Sequence, residues 1–412
     1  MKKILALLLA ALMVFSMVAC SNNASSDQTD SSGDTADDSS TGSETSGEAA
    51  ESFNDAGTDK YADVEAPSGF KIGFAYMPPS DTLSAAFHKV LDYTAEQFGC
   101  EMIYTEWTAY DAESILAGYE NEVQAGADAV IGILVTGGFL DYMNKTETYW
   151  CVACHPLDDS LREQALADPY FCGDITEDDY LCGYQLAEKL YNAGCRQVGL
   201  MSAAPGDTTH DPRCRGFYDF IEEHPEMECI AEDRQSAGAS ATRFDEFVAA
   251  HGTKLDGIAL TGGNASLPAA IISAGFADSI VYATIDIQGD VRTDLEDGLC
   301  VGVAGGQYPT TQLAFVMLYN ALASDGAKVI DLTETLLRPM LWMDTVEDYD
   351  NYITYMEGDI PAYTGDELKE LCLAYNPDAT VESIQAQIEA YCESYSVDDI
   401  VSRHADLIAQ EG

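Results

Sequence analysis

Basic residues are scarce in this chain: 19 Lys and Arg stand against 71 Asp and Glu, for a formal net charge of -52 over 412 residues. So acidic a chain repels polyphosphates and anionic lipid headgroups, which argues against nucleic acid as a partner. Catalytic and phosphate-binding signatures are missing too. There is no GxxxxGK[ST], no GxGxxG after a strand, no HExxH and no GxSxG, and the six histidines are scattered with no pair at ligand spacing. No enzyme, cofactor or metal site is therefore expected. Between Ser21 and Asp59 the shortage is of a different kind: no Lys, Arg, Val, Ile, Leu or Met, and Phe53 as the one aromatic. A segment with so little to bury cannot offset its chain entropy and reads as a disordered acidic tether, with a mean reach of roughly 35 Å.

What precedes the tether is apolar. Lys2 and Lys3 lead into a run from Ile4 to Ala19 broken only by Ser16, the charge-then-apolar order of an export signal. As a helix the run spans about 24 Å, short of a ~30 Å hydrocarbon core, so it reads as a cleaved signal and not as a permanent span. It stops at Cys20, and the block Met17, Val18, Ala19, Cys20 resembles the lipobox of bacterial lipoproteins, in which the cysteine thiol is acylated. The resemblance implies a membrane anchor at Cys20 on the extracytoplasmic face of the cell membrane. Of twelve cysteines, eleven remain once Cys20 is set aside, an odd number that cannot all pair within the chain. Most read as small core residues in a poorly oxidising habitat.

The body is too long for one compact core and predicts two lobes. "FKIGFAYM" is a buried-strand run, and "LSAAFHKVLDYTAEQFG" carries apolar residues at helical spacing before a Gly stop. Strands and helices then alternate through "ADAVIGILV", "RQVGLMSA", "LDGIALTG", "IVYATID" and "LCVGVAGG". This pattern predicts an α/β fold of two doubly wound parallel-sheet lobes joined by a hinge, with ligand-binding residues just beyond the carboxyl ends of the strands. The expected organisation is a signal over 1–19, the lipidated Cys20 and tether over 20–65, a first lobe from 66–174 and 308–332, and a second from 175–307. A helical extension over 333–412 completes it.

At "HDPRCRGFYDF" and "ALTGGNASLPAA", taken with the KIGF-type first strand, the GADAVI third strand and the I-D strand end, residues 71 to 324 resemble the type I periplasmic sugar-binding proteins, the ribose-binding-like receptors of ABC transporters. The resemblance implies a periplasmic-binding-protein fold and a set of site residues. Arg213 takes the place of the RxxGF arginine that donates to ligand hydroxyls, a role that suits its planar fork. Asn264 is either the cleft asparagine or a helix N-cap, and Ala265 follows it where relatives often carry Asp. Asp286 stands where a carboxylate accepts two sugar hydroxyls, and Gln307 where a glutamine sits at a lobe crossover. In the first lobe Ser80 and Asp81 contact ligand or cap the next helix, Tyr76 and Trp107 stack on a sugar face or pack between lobes, and His155 falls at a position where relatives often carry a charged residue.

The implied function is a lipid-anchored solute receptor that captures a small polar ligand, a carbohydrate before others, and delivers it to an ABC permease. The alternative is a sensor of the same fold that presents its ligand to a membrane kinase. The Tyr-rich extension, with Tyr349, Tyr352 and Tyr355 at even spacing, reads as a helical appendage on one lobe or a docking surface for a partner.

Overall fold

A computed structural model describes residues 60–404 of the chain, apart from 81, 110, 236–240, 265 and 359. The expected signal, Cys20, the tether over 21–59 and Asp81 lie outside the described residues.

The first lobe runs β1 (Lys71–Tyr76), α1 (Thr82–Phe98), β2 (Glu101–Glu106), α2 (Ala112–Gln124), β3 (Ala129–Gly132), α3 (Gly137–Thr146), β4 (Tyr149–Ala153), α4 (Asp159–Ala167) and β5 (Phe171–Glu177). The second follows as α5 (Asp179–Asn192), β6 (Gln197–Ser202), α6 (His210–Glu223), β7 (Glu228–Arg234), α7 (Ala241–His251), β8 (Gly257–Leu260), α8 (Leu267–Ser273), β9 (Val281–Ile285), α9 (Val291–Glu296) and β10 (Cys300–Gly305). The chain then returns through α10 (Thr310–Ala323), β11 (Leu336–Arg338) and β12 (Leu341–Met343) before α11 (Val346–Tyr352), α12 (Gly365–Glu370), α13 (Val381–Ser394) and α14 (Val397–Arg403).

Two six-stranded sheets result, in the orders β11-β5-β4-β3-β1-β2 and β12-β10-β9-β8-β6-β7. The orders are equivalent, so each strand of one lobe has a counterpart in the other. The predicted two-lobed α/β fold is therefore the observed one. Three segments pass between the sheets: β5 into α5, β10 into α10, and β11 into β12. Within the stretch expected to be helical, residues 336–343 instead add an edge strand to each sheet, β11 parallel to β5 and β12 antiparallel to β10.

The helices form where the sequence caps them. Asp111 accepts from Ser114 N at the start of α2, Asp178 from Leu181 N at α5, and Thr345, Thr364 and Thr380 close capping boxes on α11, α12 and α13. Helix α10 is buried on every side from Thr310 to Ala321, which fits its nearly unbroken apolar sequence. Its one amide in the lower half, Asn320, is satisfied by the extension: Nδ2 donates to Leu371 O and Oδ1 accepts from Leu373 N, each at 2.9 Å. The eleven cysteines of the body are all free thiols, buried except Cys100 and Cys229, which are half-buried. Among the described residues no helix is long and apolar enough to cross a membrane.

The extension is not confined to one lobe. Lys89 Nζ on α1 donates to Gly358 O at 2.7 Å, and Tyr93 Oη accepts from Gly365 N at 2.7 Å. On the other side Arg292 of α9 makes a bidentate ion pair with Asp350 of α11, at 2.7 and 2.9 Å. Tyr395 Oη donates to Gly306 O, in the crossover itself, at 3.1 Å.

Candidate functional site

Segments leaving the carboxyl ends of β1, β3, β4, β5, β6, β9 and β10 meet at one interlobe cleft, as an open parallel sheet requires. The cleft holds two adjoining cavities of about 200 and 260 Å³ that share Tyr76, Leu83, Asp286 and Gln307. Together they fall in the ~300–1,000 Å³ range of small-molecule sites.

The smaller cavity is polar. Arg213 enters it from the first turn of α6, and the RxxGF sequence explains how. Gly216 lies against the backbone of α5 at Tyr180, and Gly183 of α5 lies against the Arg213 carbonyl; a Cβ at either position would overlap those atoms. The two helices therefore touch backbone to backbone, which sets Arg213 beside Asp179. Arg213 Nε donates to Asp179 Oδ1 at 2.7 Å and Nη1 to Thr261 O at 2.7 Å, with both side chains about 6% exposed. Burial disfavours the Arg213 cation, but the Asp179 and Asp286 carboxylates outweigh it and hold the guanidinium charged. For Asp179 the balance tips the other way: burial pushes its pKa up to about 6 despite Arg213.

Around that pair stand three further acceptors. Glu177 accepts from Thr310 Oγ1 at 2.6 Å and lies 3.7 Å from the fully buried Arg338; its burial raises its pKa more than Arg338 and Thr310 lower it. For Asp207 burial is the largest influence and raises the pKa, but the backbone N–H groups of His210 and Thr209, at 2.8 and 2.9 Å, prevail and hold it below the usual carboxylate value. Asp286 accepts from Gln307 Nε2 and takes a left-handed backbone, φ 71°. Such strain at a non-glycine residue persists only where surrounding structure enforces it, and it gathers at functional sites.

Two histidines complete the polar lining. Burial and the neighbouring Arg213 charge drive both His155 and His210 down to about 4, so both rings are neutral at pH 7. Thr261 Oγ1 donates to Ser202 Oγ at 2.7 Å, which makes it the acceptor for His210 Nδ1–H at 2.9 Å and leaves Nε2 as a ring acceptor. His155 Nδ1 and Thr209 Oγ1 are buried and have no hydrogen-bond partner among the described residues. Polar atoms so placed are spare capacity for a ligand.

Of the residues expected from sequence, Arg213, Asp286, Gln307 and His155 line this one cavity, although they are scattered from one lobe to the other along the chain. Asn264 does not line it. Its Nδ2 donates to Tyr282 Oη at 3.1 Å and its Oδ1 accepts from Gln288 N at 3.2 Å, so it ties the loop after β9 to the core; nor does its side chain cap α8, whose N-cap is Ser266. Trp107 is buried with its ring edge-on to Tyr76 at 5.1 Å, one layer behind the cavity wall; Tyr76 reaches the cavity and Trp107 supports it. Ser80 is exposed on the loop before α1 and lines neither cavity. Of the alternatives open for Ser80, Trp107 and Asn264, the structure sets all three side chains outside the two cavities. Sequence reasoning missed Glu177, Asp207, Thr209 and His210. The signal was present, because "GDTTH" is the segment between β6 and the RxxGF helix and Glu177 is the last residue of β5, both at the strand ends that the fold singles out.

Two α/β lobes with polar groups converging on the cleft between them are the architecture of a solute-binding protein. The family described as periplasmic binding protein domain matches residues 72–328, and the chain belongs to that family. No curated protein matches the sequence. Solved structures share the fold at low identity. A periplasmic sugar-binding protein from Pseudomonas fluorescens superposes with a TM-score of 0.62 at 14% identity, covering 74% of this chain and 95% of its own. An ABC transporter periplasmic solute-binding protein from Actinobacillus succinogenes with bound D-allose gives 0.57 at 18%, covering 69% and 100%. An ABC transporter solute-binding protein from Bacillus halodurans with bound myo-inositol gives 0.55 at 19%, covering 69% and 98%.

Proposed function

We propose that this chain is a lipid-anchored solute receptor that captures a neutral polyhydroxylated ligand, a sugar or cyclic polyol, and delivers it to an ABC permease. The observation that carries the reading is the composition of the polar cavity. Its acceptors are the carboxylates of Glu177, Asp207 and Asp286 and the neutral ring of His210, while its one lining guanidinium, Arg213, is already paired to Asp179. Such a set accepts hydroxyl protons from several directions and repels phosphates and carboxylates. Acceptors come from both lobes, so a ligand that engages them prefers the closed state, which is the basis of trapping. The allose- and inositol-bound relatives of this fold carry ligands of the same chemistry.

A thermal-shift screen of the purified protein tests the ligand class. A neutral sugar or inositol at 100 times its dissociation constant adds about 2.7 kcal/mol and several degrees of melting temperature, whereas sugar phosphates and sugar acids give no shift. A shift confined to anionic compounds or amino acids would overturn the reading. For the anchor, Cys20→Ser releases the protein from the membrane fraction or leaves the signal uncleaved; a cleaved variant that stays membrane-bound would remove Cys20 from the account.

A further inference from the structure

The C-terminal extension reaches the ligand site as well as both lobes around it. Tyr352, the last residue of α11, lines the larger cavity. Arg338, in β11, stands behind the smaller one, beyond residue 328 where the match to the family ends. It is fully buried and meets all three segments that pass between the sheets. It belongs to the third itself, its carbonyl accepts from Asp178 N of the first at 2.7 Å, and its Nη2 donates to Gly306 O of the second at 2.8 Å. Its guanidinium lies over the ring of Tyr395 at 3.9 Å, and Tyr395 Oη reaches the same Gly306 carbonyl. Glu177, which lines the polar cavity, has its Oε1 3.7 Å from Arg338 Nη2.

We infer that Arg338 is a positioning residue of the ligand site: it gathers the three crossing segments on one residue and keeps the Glu177 carboxylate charged, as an acceptor for a ligand hydroxyl. The inference rests on the receptor reading above and adds the extension to it. Packing alone does not account for an arginine here. Nε and Nη1 have no hydrogen-bond partner among the described residues, a cost that an apolar side chain stacked on Tyr395 would avoid. Electrostatics does account for it. Burial drives Glu177 towards the neutral acid, and the Arg338 charge opposes burial more than Thr310 or Arg213 does. A protonated Glu177 would turn one oxygen from an acceptor into a donor and weaken the grip on a hydroxyl. Arg338 lines neither cavity, so its effect on a ligand passes through Glu177 and the crossover carbonyl.

Infrared difference spectra and calorimetry of the purified protein test it. The parent, Arg338→Met and Arg338→Lys are each compared at pH 7 with the same protein carrying Glu177→Gln, which isolates the Glu177 carboxyl. The parent and Arg338→Lys show the band of a carboxylate, whereas Arg338→Met, unbranched but uncharged, shows the carbonyl band of a protonated acid. Arg338→Gln, uncharged but able to donate to Gly306 O, repeats the comparison where methionine disturbs the fold. D-allose, myo-inositol and L-arabinose are then titrated into each protein. For the compound that the parent binds, Arg338→Met loses about tenfold or more in affinity and Arg338→Lys stays within about threefold. With Glu177→Gln already present, the methionine costs less than about twofold further. A packing role would make methionine at least as good as lysine. A charged Glu177 in Arg338→Met and Arg338→Gln, or a methionine variant that binds as tightly as the lysine one, overturns the inference. A parent that binds none of the three compounds while the bands behave as expected removes the sugar reading and leaves the role of Arg338 standing.

Discussion

Cys154 and Asp286 occupy the same place in the two lobes. Each is the first residue after the central strand that leads to the crossover strand, β4 before β5 and β9 before β10, and each takes a left-handed backbone, φ 64° and 71°, though neither is glycine. Both line the polar cavity, and the residue after each, His155 or Ile287, lines the cleft too. One turn geometry thus serves both halves of the site.

That equivalence separates backbone strain from ligand contact at position 286. Both Asp286→Ala and Asp286→Gly remove the carboxylate that accepts from Gln307, and each loses up to about a hundredfold in affinity for the ligand found by screening. Only the alanine keeps the left-handed penalty of ~1–2 kcal/mol, so the glycine variant melts a few degrees above it. Equal melting temperatures would show that the φ 71° turn stores no strain.

The Arg213–Asp179 pair carries a different expectation. An arginine that served the ligand alone could be removed without cost to the empty protein. Here it is buried, bridges α6 to α5 and β8, and neutralises a buried carboxylate. Arg213→Ala or Asp179→Ala therefore destabilises the empty protein by ~3–5 kcal/mol, because either leaves one charge unpaired in the interior. Arg213→Met with Asp179→Leu recovers part of the loss. Chemical denaturation of the four proteins checks it, and single variants as stable as the parent would refute the structural role.

How much of this was legible beforehand follows from the kind of signal each feature leaves. The two lobes were readable because each strand–helix unit writes its own periodicity, and because "RCRGF" records a contact between α5 and α6 that only glycine permits. Arg213, Asp286 and Gln307 were readable through the resemblance to the periplasmic sugar-binding proteins, whose motif positions they occupy. Trp107 and Asn264 were not, since an aromatic or an amide beside a strand end looks the same whether it faces the ligand or the layer behind it. Strands β11 and β12, three residues each, are too short to show a period of two, and their pairing depends on sheet edges more than 150 residues away in sequence for β11. The reach of Tyr352 into the cleft is a tertiary fact with no local trace.

Neutral histidines make a pH prediction. His155 and His210 have folded pKa values near 4, below the ordinary 6.5, so the unfolded chain binds more protons between those limits. Their neutral burial therefore favours folding above pH 6.5, and that contribution is lost as the pH falls from 6.5 through 4. Asp179, raised to about 6, works the opposite way over nearly the same interval. His155→Gln deletes one of the two histidine contributions, so its melting temperature drops less than the parent's between pH 6.5 and 4. Parallel pH profiles for the two proteins would contradict the assignment of a neutral, buried His155.

Glu122 is the clearest case of a carboxyl whose pKa burial raises. It lies on α2, fully buried, against Gly73 of β1, where a Cβ would stand 2.6 Å from its Oε2. Among the described residues Oε2 has no partner, while Oε1 lies 3.1 Å from Thr105 Oγ1. Thr105 Oγ1 also sits 3.0 Å from Gly118 O and has one proton to give. Thr105 Oγ1 shares that proton between Gly118 O and Glu122 Oε1, so a carboxylate at Glu122 has at most this one shared donor. Burial raises the Glu122 pKa well above its ordinary value and outweighs the Thr105 hydrogen bond. The folded state thus keeps a proton that the unfolded chain releases above its own pKa, and stability falls as pH rises from there towards the folded pKa. Glu122→Gln keeps the shape, accepts from Thr105 through its amide oxygen without a proton to lose, and raises stability by ~1–3 kcal/mol at pH 7 to 8. The gain shrinks towards zero as the pH approaches 4, where the parent is protonated in both states. Melting curves of the two proteins from pH 4 to 8 measure it. A gap that widens in acid, or a glutamine variant less stable than the parent at pH 8, would mean that Glu122 is ionised in the fold.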